Sequence, residues 1–306
     1  MYDLIILGGG PAGISAGVYA SRKQLKTLLV TKEWGGQSIV SPDIQNWIGT
    51  KSISGSDLAK NLEEHLKAYA GEFVTIAPGV TVTNLAKTDA GFTVTLSDGS
   101  SHETKTVLVA TGSSRRKLTV PGADTFDQKG LTYCATCDGP MFSGMDVAVI
   151  GGGNAGFETA AQLLAYTKSV TLLNHGNAYK ADPVTVEKVL AHPNMTGILN
   201  ADTTEILGES FVNGLTYTDA QKESHTLAVG GIFVEIGMLP NTDYVKNVLD
   251  LDEYNRIKID PWTQRTSVEG VWAAGDCTNI RYHQNNISAG DAVKALEDIY
   301  VYVKTR

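Results

Sequence analysis

Cysteine is scarce: three residues in a chain of 306. No disulfide framework can be built from three, and one close pair with one left over fits a reducing compartment. Long apolar runs are also missing. None approaches the length of a membrane span. Leu4-Ile5-Ile6-Leu7, near the start, is too short for a signal segment and has no basic residue before it. The expected location is the cytoplasm. Positive charge is in deficit, with 25 Lys and Arg against 33 Asp and Glu and a net charge of −8. That balance argues against nucleic acid or an anionic membrane as partner and describes a soluble surface. Zinc ligands are lacking too. Beyond one Cys pair only Cys277 and scattered His remain, where zinc takes four ligands, so no metal is expected.

Glycine, by contrast, is plentiful at 32 residues, and it gathers in two copies of one fingerprint. The first is Gly8-Gly9-Gly10-Pro11-Ala12-Gly13 and the second Gly151-Gly152-Gly153-Asn154-Ala155-Gly156. Each follows an apolar run, Tyr2 to Leu7 or Val147 to Ile150. Each opens a helical segment, Ile14 to Ala20 or Phe157 to Ala165. A second apolar run then follows, Leu25 to Val30 or Val170 to Leu173. Apolar runs unbroken by polar alternation suit a parallel sheet buried on both faces. The spacing predicts two β-α-β units and a domain-scale duplication. Meanders are expected around Asp98-Gly99 and between Phe211 and Val229. After Asn241 the chain holds about one strand and a long helix from Ser288 to Val303, too little for a third domain, so it should return to complete the first. The expected fold class is α/β, with two Rossmann-like, three-layer ββα dinucleotide-binding domains, the second inserted in the first. The boundaries read as 1–114 and 244–306 for the first domain and 115–243 for the second.

In the first fingerprint Gly8 makes the tight turn, Gly10 admits a pyrophosphate and Gly13 lets helix pack on strand, with the phosphates at a helix N-terminus. The acidic ribose ligand expected about 20 residues on is replaced by Thr31-Lys32. In the second copy Asn174 and His175 occupy that position, with Lys180 the nearest fixed positive charge. An NADH site usually carries a carboxylate there and an NADPH site arginines, so the donor's identity stays open. Between the two copies lie Cys134-Ala135-Thr136-Cys137-Asp138. Cys134 and Cys137 have the spacing of a redox pair, and Asp138 can shuttle the proton that thiol exchange gains or loses. Cys277 reads as a packed core thiol. Asp276 reads either as an acceptor for a ligand hydroxyl or as a helix N-cap. His283 reads as a cofactor neighbour or a loop histidine.

The chain resembles the low-molecular-weight thioredoxin reductases, and still more the reductase part of the alkyl hydroperoxide reductase flavoprotein. The resemblance runs nearly end to end. It rests on Gly8–Gly13, Gly35-Gly36-Gln37, Asn46-Trp47, Val109-Ala110-Thr111-Gly112, Cys134 to Pro140, Gly151–Gly156, Gly237 to Asn241 and Ala273 to Cys277. It implies FAD in the first domain, lined by Gly36, Gln37, Asn46, Thr111, Gly112, Asp276 and Gln284, Asn285 and Ile287, with Asp276 facing the ribityl chain. Val80, Ala110, Gly275 and Gly237 complete the candidate cofactor set. It also implies that Cys137 lies nearest the flavin, that Cys134 exchanges with the partner and that Asp138 is acid and base. It implies a homodimer whose nucleotide domain swings between two positions. Two departures stand out: the usual His-Arg-Arg run is replaced by Asn174-His175-Gly176-Asn177, and the first strand follows Met1 directly, so the acceptor is expected to be a separate protein. The leading reading is an FAD-dependent reductase of a thioredoxin- or glutaredoxin-like protein, fed by NADPH or NADH. The alternative keeps that chemistry with ferredoxin or another carrier as donor. A third reading, from a different class, is a flavin-binding redox sensor.

Overall fold

The computed structural model describes residues 1–41 and 43–305, which divide into two compact units. Unit 1 comprises Met1–Val40, Trp47–Ser114 and Leu239–Arg306, and unit 2 comprises Ser41–Asn46 and Arg115–Met238. The chain therefore returns to unit 1 earlier than residue 244. Unit 1 begins with β1 (Tyr2–Leu7), α1 (Pro11–Arg22), β2 (Thr27–Thr31), α2 (Gly55–Ala70), β3 (Val74–Pro78), β4 (Val82–Thr88), β5 (Gly91–Leu96) and β6 (Ser101–Val109). The chain leaves through β7 (Ser113–Arg115). Unit 2 then holds β8 (Leu131–Thr132), α3 (Ala135–Asp138), β9 (Asp146–Ile150), α4 (Asn154–Leu163), β10 (Ser169–Asn174), α5 (Pro183–Leu190) and β11 (Met195–Leu199). It closes with β12 (Asp202–Gly208), β13 (Val212–Thr218), β14 (Ser224–Leu227) and β15 (Gly231–Val234). The return runs through β16 (Met238–Pro240) to β17 (Val271–Ala273) and α6 (Asn285–Lys304).

The two units share one plan. In unit 1, β3, β2, β1, β6 and β17 pair in parallel in that order. In unit 2 the parallel order is β11, β10, β9, β15, β8. Each unit adds a three-stranded antiparallel meander. In unit 1 it is β4, β5 and the first half of β6. In unit 2 it is β12, β13 and β14.

The alternation of side chains along β9 sorts the core into two layers. Val147 and Val149 pack with Phe157, Ala160 and Leu163 of α4. Ala148 and Ile150 pack with Ile206, Val212 and Leu215 of the meander. A strand sandwiched this way is apolar at every position, which is why the parallel strands read as unbroken runs. Unit 1 repeats the arrangement, with Ile5 and Leu7 of β1 packed with Phe92 and Val94 of β5. Gly13 and Gly156 seat each first helix on its strand. A Cβ there would stand 1.8 Å from Gly8 O and 1.9 Å from Gly151 O respectively. Among the described residues, no helix is long and apolar enough to cross a membrane.

Candidate active site

The redox pair lies in unit 2, at the end of its shortest parallel strand. Cys134 and Cys137 form a disulfide with Cα atoms 5.3 Å apart. Cys134 caps α3, and the Cys137 N–H donates to Cys134 Sγ at 3.2 Å. Both cysteines are half-buried, while Asp138 is 5% exposed. Thr132, the last residue of β8, ties the group together. Its hydroxyl donates to Asp138 Oδ2 and accepts from the Cys134 N–H at 3.3 Å. Asp138 Oδ1 is buried with no partner among the described residues. Burial pushes the Asp138 carboxyl above the ordinary range, against the opposing pull of the Thr132 bond and the Arg115 charge. Thr132 was missed by sequence reasoning, because a strand-end threonine carries no local signal of this role.

The second glycine turn runs from the end of β9 into α4. No atom lies within 4 Å of where a Cβ on Gly153 would stand, so the turn is open for a phosphate to approach its backbone. Asn154 and Ala155, on the first turn of α4, are exposed. Asn174, at the end of β10, is buried, and its amide serves its own loop. Nδ2 donates to Gly176 O at 2.8 Å and to Ala178 O at 3.0 Å. His175 points outward and pairs with Asp202, which also meets Lys222 at 3.3 Å. Glu235, unnoticed in the sequence, follows β15 and accepts from the Thr159 hydroxyl at 2.9 Å. Its signal was visible: a lone charge inside the apolar segment Gly231–Pro240. Gly237 lies just beyond, with its carbonyl accepting from the Arg116 N–H at 3.0 Å.

In unit 1 the first glycine turn faces the segment carrying Gly36 and Gln37. The nearest atom to a Cβ on Gly10 would be Gly36 Cα, at 3.8 Å. Pro11 and Ala12 open α1 and are buried. Asp276 is the hub of a polar cluster. Gln37 Nε2 donates to its Oδ2 at 3.2 Å and to Ser113 Oγ at 3.0 Å. Ser288 Oγ donates to Asp276 Oδ1 at 3.3 Å, and His283 Nδ1 lies 3.4 Å from the same oxygen. Gly275 precedes Asp276 with φ +77°. Ser38 Oγ donates to Asn285 Oδ1 at 2.9 Å. Asn285 and Ile287 stand on the first turn of α6, with Gln284 as its N-cap residue.

Thr111 and Gly112, after buried Ala110, are clamped by Asn241. Thr111 Oγ1 donates to Asn241 O at 2.8 Å, and the Asn241 N–H donates to Gly112 O at 3.0 Å. Thr31 is buried and donates to Glu33 O at 2.5 Å, while Lys32 is exposed. Two candidates fall apart from this cluster. Val80 packs partly buried on the hydrophobic core of unit 1, and Asn46 is grouped with unit 2.

FAD fits unit 1 on two observations. At Gly10 a Cβ would meet nothing nearer than 3.8 Å, so that point of the turn is not crowded, and Gln37 Oε1 is a buried acceptor with no partner among the described residues, beside Asp276. A polyol chain supplies the hydroxyls such a pair can meet.

Two nucleotide-type folds and a Cys-x-x-Cys disulfide are the parts of a disulfide oxidoreductase. The sequence model of the pyridine nucleotide-disulphide oxidoreductase family matches residues 2–291. An alkyl hydroperoxide reductase component from Staphylococcus epidermidis is 41% identical over 303 residues. That match covers 99% of this chain and 59% of that protein, so the chain spans little more than half the length of this relative. The crystal structure of thioredoxin reductase from Streptococcus pyogenes matches with a TM-score of 0.91 at 31% identity, covering 100% of this chain and 99% of that one. Thioredoxin reductase from Giardia duodenalis matches with a TM-score of 0.93 at 29% identity, covering 99% of each. The chain therefore belongs to the pyridine nucleotide-disulphide oxidoreductase family, on its low-molecular-weight, thioredoxin reductase-like branch. Membership makes it a flavin oxidoreductase and implies FAD together with a nicotinamide nucleotide.

Proposed function

We propose that the protein moves two electrons from NADPH or NADH, through FAD and the Cys134–Cys137 disulfide, to the disulfide of a thioredoxin- or glutaredoxin-like protein. The observation that carries this reading is the disulfide in unit 2, with the buried Asp138 carboxyl bonded beside it through Thr132. When bound, FAD supplies the relay between a two-electron hydride donor and a disulfide. Gly8 to Gly13 would take its pyrophosphate. Asp276 and Gln37 would hold its ribityl hydroxyls, with Thr111, Gly112, Gln284, Asn285 and Ile287 around it.

The rest is thiol chemistry of this chain. Reduction of Cys134–Cys137 takes two electrons and two protons and leaves two thiols. Asp138, protonated at a higher pH than a surface carboxyl, donates to the sulfur that leaves and takes the proton back when a thiol must ionise. The Cys134 thiolate then attacks a sulfur of the partner disulfide and forms a mixed disulfide. Cys137 attacks Cys134, the internal bond reforms, and the partner departs with two thiols. A homodimer in the cytoplasm accords with this family reading, and sedimentation of the FAD-loaded protein tests the dimer.

The test is anaerobic stopped-flow of the purified yellow protein. NADPH or NADH is expected to bleach the flavin in wild type and in Cys134→Ser, while turnover with a thioredoxin-like disulfide vanishes in Cys134→Ser. Bleaching by dithionite but by neither nucleotide would refute the nicotinamide donor and turn the search to ferredoxin-like carriers. Full turnover in the variant would refute the role of the disulfide.

A further inference from the structure

The parallel sheet of unit 2 runs β11, β10, β9, β15, β8. From β9 the chain moves to β10 and β11 on one side, while β15 and β8 lie on the other. Strand order therefore reverses between β9 and β15. In such sheets a dinucleotide lies across the crevice outside the carboxyl ends of the strands at this reversal. The glycine turn and Asn174 belong to the β9–β10 side, which takes the adenosine half. The β15 side is left for the nicotinamide half. Glu235 is the first residue beyond β15, and its N–H donates to Ile150 O, the last residue of β9, at 2.8 Å. It is thus a half-buried carboxyl at the reversal point itself.

Its surroundings favour the neutral acid. Burial is the dominant influence and pushes the carboxyl up to about 7. The groups facing it are the Thr159 hydroxyl and the Glu158 carboxylate from α4, and Arg115 from β7. Glu158 opposes ionisation and Arg115 favours it. A bound dinucleotide would add pyrophosphate charge at the neighbouring turn and oppose ionisation further. The Thr159 hydroxyl donates to Oε1, which leaves Oε2 for another partner.

We infer that Glu235 binds the nicotinamide end of the donor, donating from Oε2–H to the carboxamide oxygen while Thr159 holds Oε1. The inference rests on the proposed nicotinamide donor. It makes Glu235 the residue that distinguishes a nicotinamide dinucleotide from its adenosine half.

The test uses the FAD-loaded full chain and calorimetry with three probes. Two are tetrahydro-NADH and tetrahydro-NADPH, redox-inactive analogues with an uncharged ring. The third is ADP-ribose, which lacks the nicotinamide. Titrations are run about one unit below and above pH 7, alongside flavin bleaching by NADH and NADPH. In wild type the analogue that matches the bleaching nucleotide should bind more weakly at the higher pH, with ADP-ribose little affected. Glu235→Gln keeps a hydrogen-bonding group that does not ionise. It should retain affinity within about twofold and lose the pH dependence. Glu235→Leu should weaken the analogue by about fivefold to tenfold and leave ADP-ribose unchanged. Equal weakening of ADP-ribose, or a wild-type pH profile in Glu235→Gln, would overturn the inference and leave the donor reading standing. Wild-type flavin that neither nucleotide bleaches would instead overturn the donor reading, and this inference with it.

Discussion

The duplicated architecture supplies a paired experiment, because one steric device serves both nucleotide folds. A Cβ on Gly156 would stand 1.9 Å from Gly151 O, and one on Gly13 would stand 1.8 Å from Gly8 O. Real Cβ atoms stay beyond 3.0 Å, so helix and turn must part by about 1.1 Å at Gly156 and about 1.2 Å at Gly13. The obstacle is backbone, which cannot rotate away as a side chain would. Overpacking of this kind costs about 1–3 kcal/mol. The functional effect should exceed the loss of stability, since a misplacement of about 1 Å can cost about 100-fold in rate. Gly156→Ala should purify yellow, accept electrons from dithionite normally and be bleached by NADPH or NADH about 100-fold more slowly. Gly13→Ala should lose FAD instead, and absorbance of the purified protein reads that directly. Bleaching of Gly156→Ala at the wild-type rate would refute the assignment of the second turn to the donor. Loss of FAD from Gly156→Ala, with FAD retained in Gly13→Ala, would invert the assignment of the two units.

Three further outcomes are expected. Thr132→Val removes the bond to Asp138 and the acceptor for the Cys134 N–H, at a cost of about 1–3 kcal/mol. Because that bond holds the Asp138 carboxyl down, the pH profile of partner-disulfide reduction should move to higher pH while flavin bleaching is unchanged; an unmoved profile would count against Asp138 as the proton shuttle. Cys277 is fully buried, its thiol pushed up to about 12 by burial. The native oxidised protein should therefore show no titratable thiol and the mildly reduced protein two; a third before unfolding would contradict this. Glu235 is raised from an ordinary 4.5 to about 7, so unit 2 has its full stability below about 4.5 and loses some as pH rises toward 7. Glu235→Gln should be the more stable protein at pH 8, by at most about 3 kcal/mol, and no more stable at pH 4, as denaturant unfolding will measure.

How much of this was legible in the sequence follows from where each residue is buried. The strands β1, β2, β9 and β10 were readable because their sheets are covered on both faces, by helix on one and meander on the other, so their runs are unbroken. The outer strands β3 and β11 escaped notice. Each has a single buried residue, Val74 or Met195, and no periodic signal survives at a sheet edge. The helix α5 also went unread, although it carried its own start signal. Asp182 accepts from the Thr185 N–H at 3.1 Å and Pro183 holds the first position. The disulfide was legible because its residues are close in the chain. Thr132 was not, because its bond to Asp138 depends on how β8 meets α3. Asp276 stood as ligand acceptor or helix cap. Its oxygens meet Gln37 Nε2, remote in the sequence, and Ser288 Oγ, on the first turns of α6.

The equivalent residues of the two units explain why the donor's identity was unreadable from the ribose position. In a dinucleotide fold the residue at the end of the second strand is the usual ribose reader. Here that place is held by Thr31 in unit 1 and Asn174 in unit 2. Thr31 gives its hydroxyl proton to Glu33 O. Asn174 gives both amide protons to Gly176 O and Ala178 O. In each unit a short polar side chain is turned back to organise the loop after its strand, a role that Asn and Thr perform readily through local bonds to backbone. Both are buried as a result, at 3% and 8% exposure, and their donors are already spent. A carboxylate at Asn174 would face those two carbonyls with nothing to donate, so the loop itself selects an amide. The departure from the usual acidic reader is therefore a consequence of how the loop is held, which is why the residue type alone could not name a nucleotide.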